Sequence, residues 1–208
     1  MDAFRIGFPL YEQVDLIDVT VPYDLFSRVT AVGGRAVELL LIGPTLAPVT
    51  SGQRFRITPD VDFETCPPLD LIWVPGSQRV PQPPESDALV AFVSAQAKTA
   101  AWVTSVCTGA MLLNQGRLLD GYEATTHWAA VAELEKNKSV RVAVGAAQLD
   151  VRVRARNFAP KIERQFRPWE SRPIFLGVGS TIYGHVTRDG ASRLRRADRR
   201  RPAEPHQQ

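Results

Sequence analysis

The sequence predicts an α/β fold, a sandwich of helices around a mostly parallel sheet, and three observations point to it. Short, densely apolar segments ending in turn residues recur at 4–11, 36–43, 69–76 and 102–106. Between several of them lie stretches whose apolar residues follow helical spacing, as βαβ crossovers require. The first segment, Phe4-Arg5-Ile6-Gly7-Phe8-Pro9-Leu10-Tyr11, is too apolar for a strand with one wet face and suits one covered on both sides.

Taken in order, residues 4–11 read as a strand running into a loop. Asp18-Val19-Thr20-Val21-Pro22 reads as a helix entrance, with proline near the first turn and Tyr23, Leu25 and Phe26 behind it. Residues 36–43 are a second buried strand, 44–51 are rich in turn residues, and 54–58 alternate as an exposed strand would. Residues 69–76 form a strand that runs straight into Pro75-Gly76. An amphipathic helix is expected over 85–98, with Leu89, Phe92 and Val93 on its inner face. Residues 102–106 are another strand, followed by Cys107-Thr108-Gly109 and a helix over 110–115 that Gly116 closes. A turn at 118–121, a short strand or edge at 124–127 and a helix over 129–136 come next. Beyond Lys138 the pattern weakens to two candidate strands, 149–154 and 174–178, and from Arg188 the chain is too charged to bury.

A chain of 208 residues with 44% hydrophobic and 23% charged residues is of ordinary globular composition, which excludes a fibrous or wholly disordered protein. No apolar run is long enough to span a bilayer, and the N-terminus lacks the pattern of a signal peptide, so no membrane partner is expected. Two cysteines, Cys66 and Cys107, are too few for a disulfide framework and lack zinc-ligand spacing. A reducing, cytoplasmic setting is the expectation. The net charge of +3 divides into a body of −5 (residues 1–149) and a remainder of +8. The basic end shows no helix-turn-helix pattern and no aromatic interleaving, so no specific nucleic-acid partner is expected.

Chemistry concentrates at Val103-Thr104-Ser105-Val106-Cys107-Thr108-Gly109-Ala110. A cysteine between a buried strand and a helix sits on a strained turn that projects its side chain into a cleft, the mechanics of a nucleophile elbow. The helix N-terminus would stabilise a thiolate, and the N–H groups of Thr108 and Gly109 would hold a developing anion. The bland alternative is a buried, inert cysteine. Asp18 follows the first strand, whose C-terminal edge should neighbour the edge bearing Cys107, and is either its acid–base partner or a helix cap. Asp15 and Glu12 read as loop charges. His127 is either a base for Cys107 or a histidine packed beneath Trp128. His185 and His206 fall in the irregular end. No phosphate-binding glycine loop, Gly-x-Ser-x-Gly or His-Glu-x-x-His is present.

Four ordered motifs carry a resemblance. They are Ile6-Gly7-Phe8 with Leu16-Ile17-Asp18-Val19-Thr20-Val21-Pro22-Tyr23-Asp24; Cys66-Pro67-Pro68-Leu69-Asp70-Leu71-Ile72-Trp73-Val74-Pro75-Gly76; the cysteine elbow; and Gly116-Arg117-Leu118-Leu119-Asp120-Gly121 with Ala124-Thr125-Thr126-His127-Trp128. On these the chain resembles the ThiJ/PfpI superfamily, whose domain is similar to class I glutamine amidotransferases. Within it the likeness is greatest to isocyanide hydratases and to amidase-like domains fused to AraC-type regulators. The resemblance implies a flavodoxin-like three-layer sandwich, usually a homodimer, assigned to residues 1–187, while composition rather than family marks 188–208 as a basic tail expected to be disordered. It implies that Cys107 attacks the carbon of a small-molecule isocyanide, that Asp18 shuttles the proton, and that Thr108 orients the site. Water then releases an N-substituted formamide, and the chemistry that the resemblance implies uses neither a metal nor an organic cofactor. Gly76, Ser77, Gly109 and His127 are the candidate contacts to substrate or oxyanion. Reactive carbonyls in glyoxalase- or deglycase-type chemistry, and amides, are alternative substrates. An inactive relative and a ligand-sensing domain of an AraC-type regulator are the alternatives that are not enzymes. The family's Pro-Gly-Gly and Thr-Gly-Pro read here as Pro75-Gly76-Ser77 and Thr20-Val21-Pro22.

Overall fold

The structure, a computed structural model, describes residues 2–143 together with 153 and 154. Its elements are β1 (Phe4–Pro9), α1 (Leu16–Ser27), β2 (Ala31–Val32), β3 (Arg35–Gly43), β4 (Val49–Thr50), β5 (Arg56–Ile57), β6 (Val61–Asp62), β7 (Leu71–Val74), α2 (Asp87–Gln96), β8 (Trp102–Ser105), α3 (Gly109–Gln115) and β9 (Glu123–Ala124). A 3₁₀ turn at Trp128–Ala130, α4 (Val131–Leu134), β10 (Arg141–Val142) and β11 (Val153–Arg154) follow.

One sheet runs in the order β11-β8-β7-β1-β3-β2, with β6 also on β3. The β8–β7, β7–β1, β1–β3 and β3–β6 pairings are parallel, while β2 and β11 pair antiparallel at the two ends. From β1 the chain crosses to β3 on one side. It later returns to β7 and β8 on the other, so the direction of winding reverses between β1 and β7. Loops leaving the C-terminal ends of strands part at such a point and leave a crevice.

Each face of the sheet has its own core. On one, Phe4, Ile6, Phe8 and Trp73 meet Tyr23 and Phe26 of α1. Phe26 stands edge-on to Trp73 with centroids 5.8 Å apart, and Phe8 lies 5.5 Å from Tyr23. On the other, Leu89, Phe92 and Val93 of α2 and the buried α3 cover Ile42, Ile72, Val74 and Val103. These layers make the expected flavodoxin-like three-layer sandwich with a mostly parallel sheet.

Several local expectations change. α1 begins at Leu16 and not near Asp18, because Asp15 accepts the Ile17 N–H and caps it; Asp15 is therefore not a plain loop charge, and Pro22 lies in the helix interior. Only Arg56–Ile57 of the expected strand 54–58 is extended, as one arm of a hairpin with β4. The helix expected over 129–136 divides into the 3₁₀ turn and the single turn of α4. Of the expected strand 149–154, β11 is described and pairs with β8. The expected strand at 174–178, the domain end at 187, the basic tail, His185 and His206 lie outside the described residues. Among the described residues no helix is long and apolar enough to cross a membrane.

At the end of the sheet away from the crevice, the Arg35 guanidinium grips both oxygens of Asp70 at 2.7 and 2.8 Å and also donates to the carbonyls of Asp2 and Ala3. Asp70 in turn accepts the Arg5 N–H at 2.9 Å, so one ion pair ties the starts of β1, β3 and β7. Bidentate, largely shielded pairs of this kind are the strong ones. Arg35→Ala should destabilise the fold by about 1–3 kcal/mol in thermal or urea unfolding. Alkylation of Cys107 in the folded protein should keep its rate. A slowed alkylation would show that the two ends of the sheet are not independent.

Candidate active site

Cys107 has φ of +54°. A side chain in this left-handed region costs roughly 1–2 kcal/mol and persists only where the surroundings hold it. Two donors do so: the Cys107 carbonyl accepts the His127 N–H and the Thr126 hydroxyl, each at 3.1 Å. On the strand side Val106 N donates to Val74 O at 3.1 Å. The helix can start so close to β7 only because residue 109 is glycine; a Cβ there would stand 2.3 Å from the Val74 carbonyl oxygen.

Asp18, in the first turn of α1, points its carboxylate at the turn after β7, where Oδ2 accepts the Gly76 N–H at 2.9 Å. Gly76 is the crossing point of the site. A Cβ on it would lie 2.7 Å from Thr108 N, 2.8 Å from Cys107 Cβ and 2.9 Å from Asp18 Oδ2, so three chain segments meet where no side chain fits. The peptide plane is clamped from its other edge, since the Tyr11 hydroxyl donates to the Pro75 carbonyl at 2.9 Å. In a planar trans peptide C=O and N–H point opposite ways, so fixing the oxygen aims the N–H at Asp18.

Thr108 and Ser77 form a reciprocal pair. The Thr108 hydroxyl donates to Ser77 O at 2.7 Å and accepts Ser77 N–H at 2.8 Å. Ser77 is buried, and its own hydroxyl donates to Gln13 O at 2.6 Å. This corrects the expected oxyanion donors. The N–H of Gly76 goes to Asp18, that of Ser77 to Thr108, and that of Gly109 to Val106 O at 2.8 Å. These residues build the site and have no amide to spare; the Thr108 N–H is the amide that faces the sulfur. His127 is also placed differently from a base. Its Nδ1 accepts Ala129 N–H at 3.3 Å, its ring lies beside an exposed Trp128, and its tie to Cys107 is through the main chain.

Burial pushes the Asp18 carboxyl up to about 6, helped by the charge of Asp15; the Gly76 N–H and the Cys107 thiol, which donates toward the carboxylate, oppose the shift. Burial pushes the Cys107 thiol up to about 11, and the Asp18 charge adds to it against the donors of Thr108. The expected thiolate at a helix N-terminus is therefore absent: α3 has only seven residues, and desolvation with a neighbouring carboxylate outweighs it. Cys66 is likewise raised to about 11 by burial, in a groove of about 530 Å³ against α2. What separates the two thiols is the carboxylate facing Cys107, not acidity. At neutral pH the site holds an ionised carboxylate beside a protonated thiol, an arrangement suited to moving one proton as the sulfur attacks. Among the described residues no group of three or more His, Cys, Asp or Glu could hold a metal. Sequence reading passed over Tyr11, Trp73 and Thr126; a polar-tipped aromatic within an apolar strand run was the available signal for the first two.

The model of the DJ-1/PfpI family matches residues 4–152, and the chain belongs to that family. It is 42% identical over 127 residues to an isonitrile hydratase of Pseudomonas putida, a match covering 61% of this chain and 54% of that protein. It is 29% identical over 135 residues to the HTH-type transcriptional regulator GbdR of Pseudomonas aeruginosa, covering 63% of this chain and 36% of the regulator. The chain thus spans about half the length of the first relative and about a third of the second. A solved ThiJ/PfpI family protein from Pseudomonas syringae superposes with a TM-score of 0.59 at 25% identity, over 72% of this chain and 60% of that one.

The raised carboxyl makes a stability prediction. A carboxyl whose folded pKa of about 6 exceeds its ordinary value of 3.8 favours the fold while protonated, and that contribution is lost as pH rises from about 4 through 6. Ionised Asp18 should cost of the order of 1–3 kcal/mol at neutral pH. Asp18→Asn keeps an acceptor for Gly76 N–H, so it should melt higher than the parent at pH 8 and lose that advantage by pH 4. Calorimetry at both pH values checks this, and an advantage that does not depend on pH would contradict it.

Proposed function

We propose that this member of the DJ-1/PfpI family is a cysteine-dependent hydro-lyase that adds water to an isocyanide and releases an N-substituted formamide. The observation carrying the proposal is the Asp18 carboxyl and Cys107 thiol set against each other across Gly76. Similarity to an isonitrile hydratase supports the substrate class.

In this reading Cys107 Sγ bonds to the terminal isocyanide carbon while Asp18 takes the thiol proton and returns it to that carbon, giving R–N=CH–S. Asp18, again a carboxylate, draws a proton from water as its oxygen adds to the same carbon. Asp18 gives that proton to the nitrogen, and as the C–S bond breaks with its electron pair leaving on sulfur the hydroxyl proton passes to the thiolate, restoring the thiol with R–NH–CHO as product. A protonated resting thiol suits this chemistry, because the proton that leaves sulfur is the one the carbon needs. Thr108 supports sulfur through its N–H and holds the turn at Ser77 through its hydroxyl. The substrate is a small molecule, the working form is a homodimer, and the setting is cytoplasmic. Similarity to a transcriptional regulator favours one second reading, in which the same crevice senses a ligand and turns nothing over.

Formamide production from alkyl and aryl isocyanides, followed by chromatography, tests the proposal. Cys107→Ala should abolish it, and Asp18→Asn should lower kcat by about 10²–10⁴-fold, the usual worth of a general acid–base. The parent's rate should rise with pH through about 6 as Asp18 ionises. Undiminished turnover by Cys107→Ala would end the mechanism. No turnover by the parent, with saturable ligand binding instead, would favour the sensing reading.

A further inference from the structure

Asp18 is held not only at its carboxylate but also at its backbone, and the second hold has an unusual origin. In an α-helix the carbonyl of residue 18 accepts the amide of residue 22. Here residue 22 is proline, inside α1, with no N–H to give. A proline ring also presses the carbonyl four residues back away from the helix axis. The Asp18 carbonyl instead accepts the indole N–H of Trp73, at 3.0 Å. Trp73 is buried in β7, two residues before Pro75, and its ring stands edge-on to Phe26 of α1. The strand that supplies Gly76 N–H to the Asp18 side chain thus also supplies a donor to the Asp18 main chain.

We infer that Trp73 is a positioning residue for the Asp18–Cys107 pair, its indole N–H replacing the amide that Pro22 lacks and fixing the Asp18 backbone against the strand that carries Gly76. The inference rests on Asp18 and Cys107 working together, as proposed above. An ordinary backbone amide would leave the carbonyl committed to α1, and Asp18 itself would be tied to the turn after β7 by its carboxylate alone, with the Asp15 N–H to Gly76 O bond holding only the head of the helix. With the indole in its place, the Asp18 main chain and side chain are both referred to β7, and the distance to the elbow follows from the sheet. The titratable groups facing Asp18 are Asp15 at the head of its own helix, Cys107 at the elbow and Tyr11 after β1.

The replacement gives the inference a test by exchange. Trp73→Phe keeps an aromatic ring against Phe26 and removes the N–H; Pro22→Ala supplies an amide in its stead. Iodoacetamide alkylation of Cys107 as a function of pH, read by peptide mapping, reports the pair whether or not isocyanides are substrates. Trp73→Phe should change the alkylation rate at pH 7 by about 3–10-fold, the equivalent of one ordinary hydrogen bond, and displace the pH profile. Adding Pro22→Ala should return both rate and profile toward the parent's, with isocyanide kcat recovering in parallel where turnover is seen. Should Trp73→Phe alone fail to fold, the refolded double variant is read instead: a parent-like alkylation rate and pH profile at Cys107 supports the inference, and a displaced profile overturns it. A double variant no better than Trp73→Phe overturns it, as does a Trp73→Phe protein that melts lower with an unchanged pH profile, which would reduce Trp73 to packing. Loss of turnover with the exchange pattern intact would count against isocyanide hydration and not against the positioning role.

Discussion

The Pro75–Gly76 peptide carries more of the site than any side chain does. Its oxygen is held by Tyr11 and its N–H by Asp18, while the Gly76 carbonyl accepts the Asp15 N–H at 2.8 Å, which anchors the head of α1 to the same turn. The elbow packs against it so closely that the positions of Cys107 and Asp18 are both fixed by reference to one glycine. Winding reverses between β1 and β7, and this peptide follows the C-terminal end of β7 beside that reversal, the edge where such folds gather their ligands.

Local costs accumulate around it. Cys107 sits in left-handed backbone, Asp18 is an ionisable group pushed up by burial, and the thiol is pushed up beside it. None of these would be chosen for stability, and sites that break local rules in this way are where function is expected. The rest of the fold offsets them: two separate apolar cores, and the Arg35–Asp70 pair that closes the opposite end of the sheet. Burial raises both groups, the Asp18 charge raises the thiol further, and the thiol's hydrogen bond favours the ionised carboxylate, so at neutral pH one proton rests on sulfur facing the group that can take it.

Much of this was legible in the sequence. The elbow was visible because a cysteine separated an apolar strand from a helical run, and Asp18 because it followed the first strand at the edge where such folds gather their ligands. What could not be read were contacts whose partners lie far apart in the chain. Nothing near Ser77 announces that its N–H is taken by Thr108, 31 residues on, so on sequence alone the donor reads as free. The helix N-terminus behind Cys107 was visible, whereas the desolvation that outweighs it depends on the packed surroundings. On sequence alone Asp18 reads as an acid–base partner or a helix cap and Asp15 as a loop charge, because the choice of cap turns on where α1 starts, which a few residues decide. Pro22 did carry a signal: a proline four residues after a polar site residue frees that residue's carbonyl, which then needs a donor from elsewhere.

The account stands on Cys107 and Asp18 sharing one proton, and titration of the thiol measures that sharing most directly. In a Cys66→Ser background a single thiol remains, and its thiolate can be followed by ultraviolet absorbance with pH. The parent should titrate near 11. Asp18→Asn, which removes a charge and turns an amide donor toward sulfur, should bring that midpoint down by about one unit or more. An unmoved midpoint would mean that the carboxyl and the thiol titrate independently, and the proposed mechanism would lose its base.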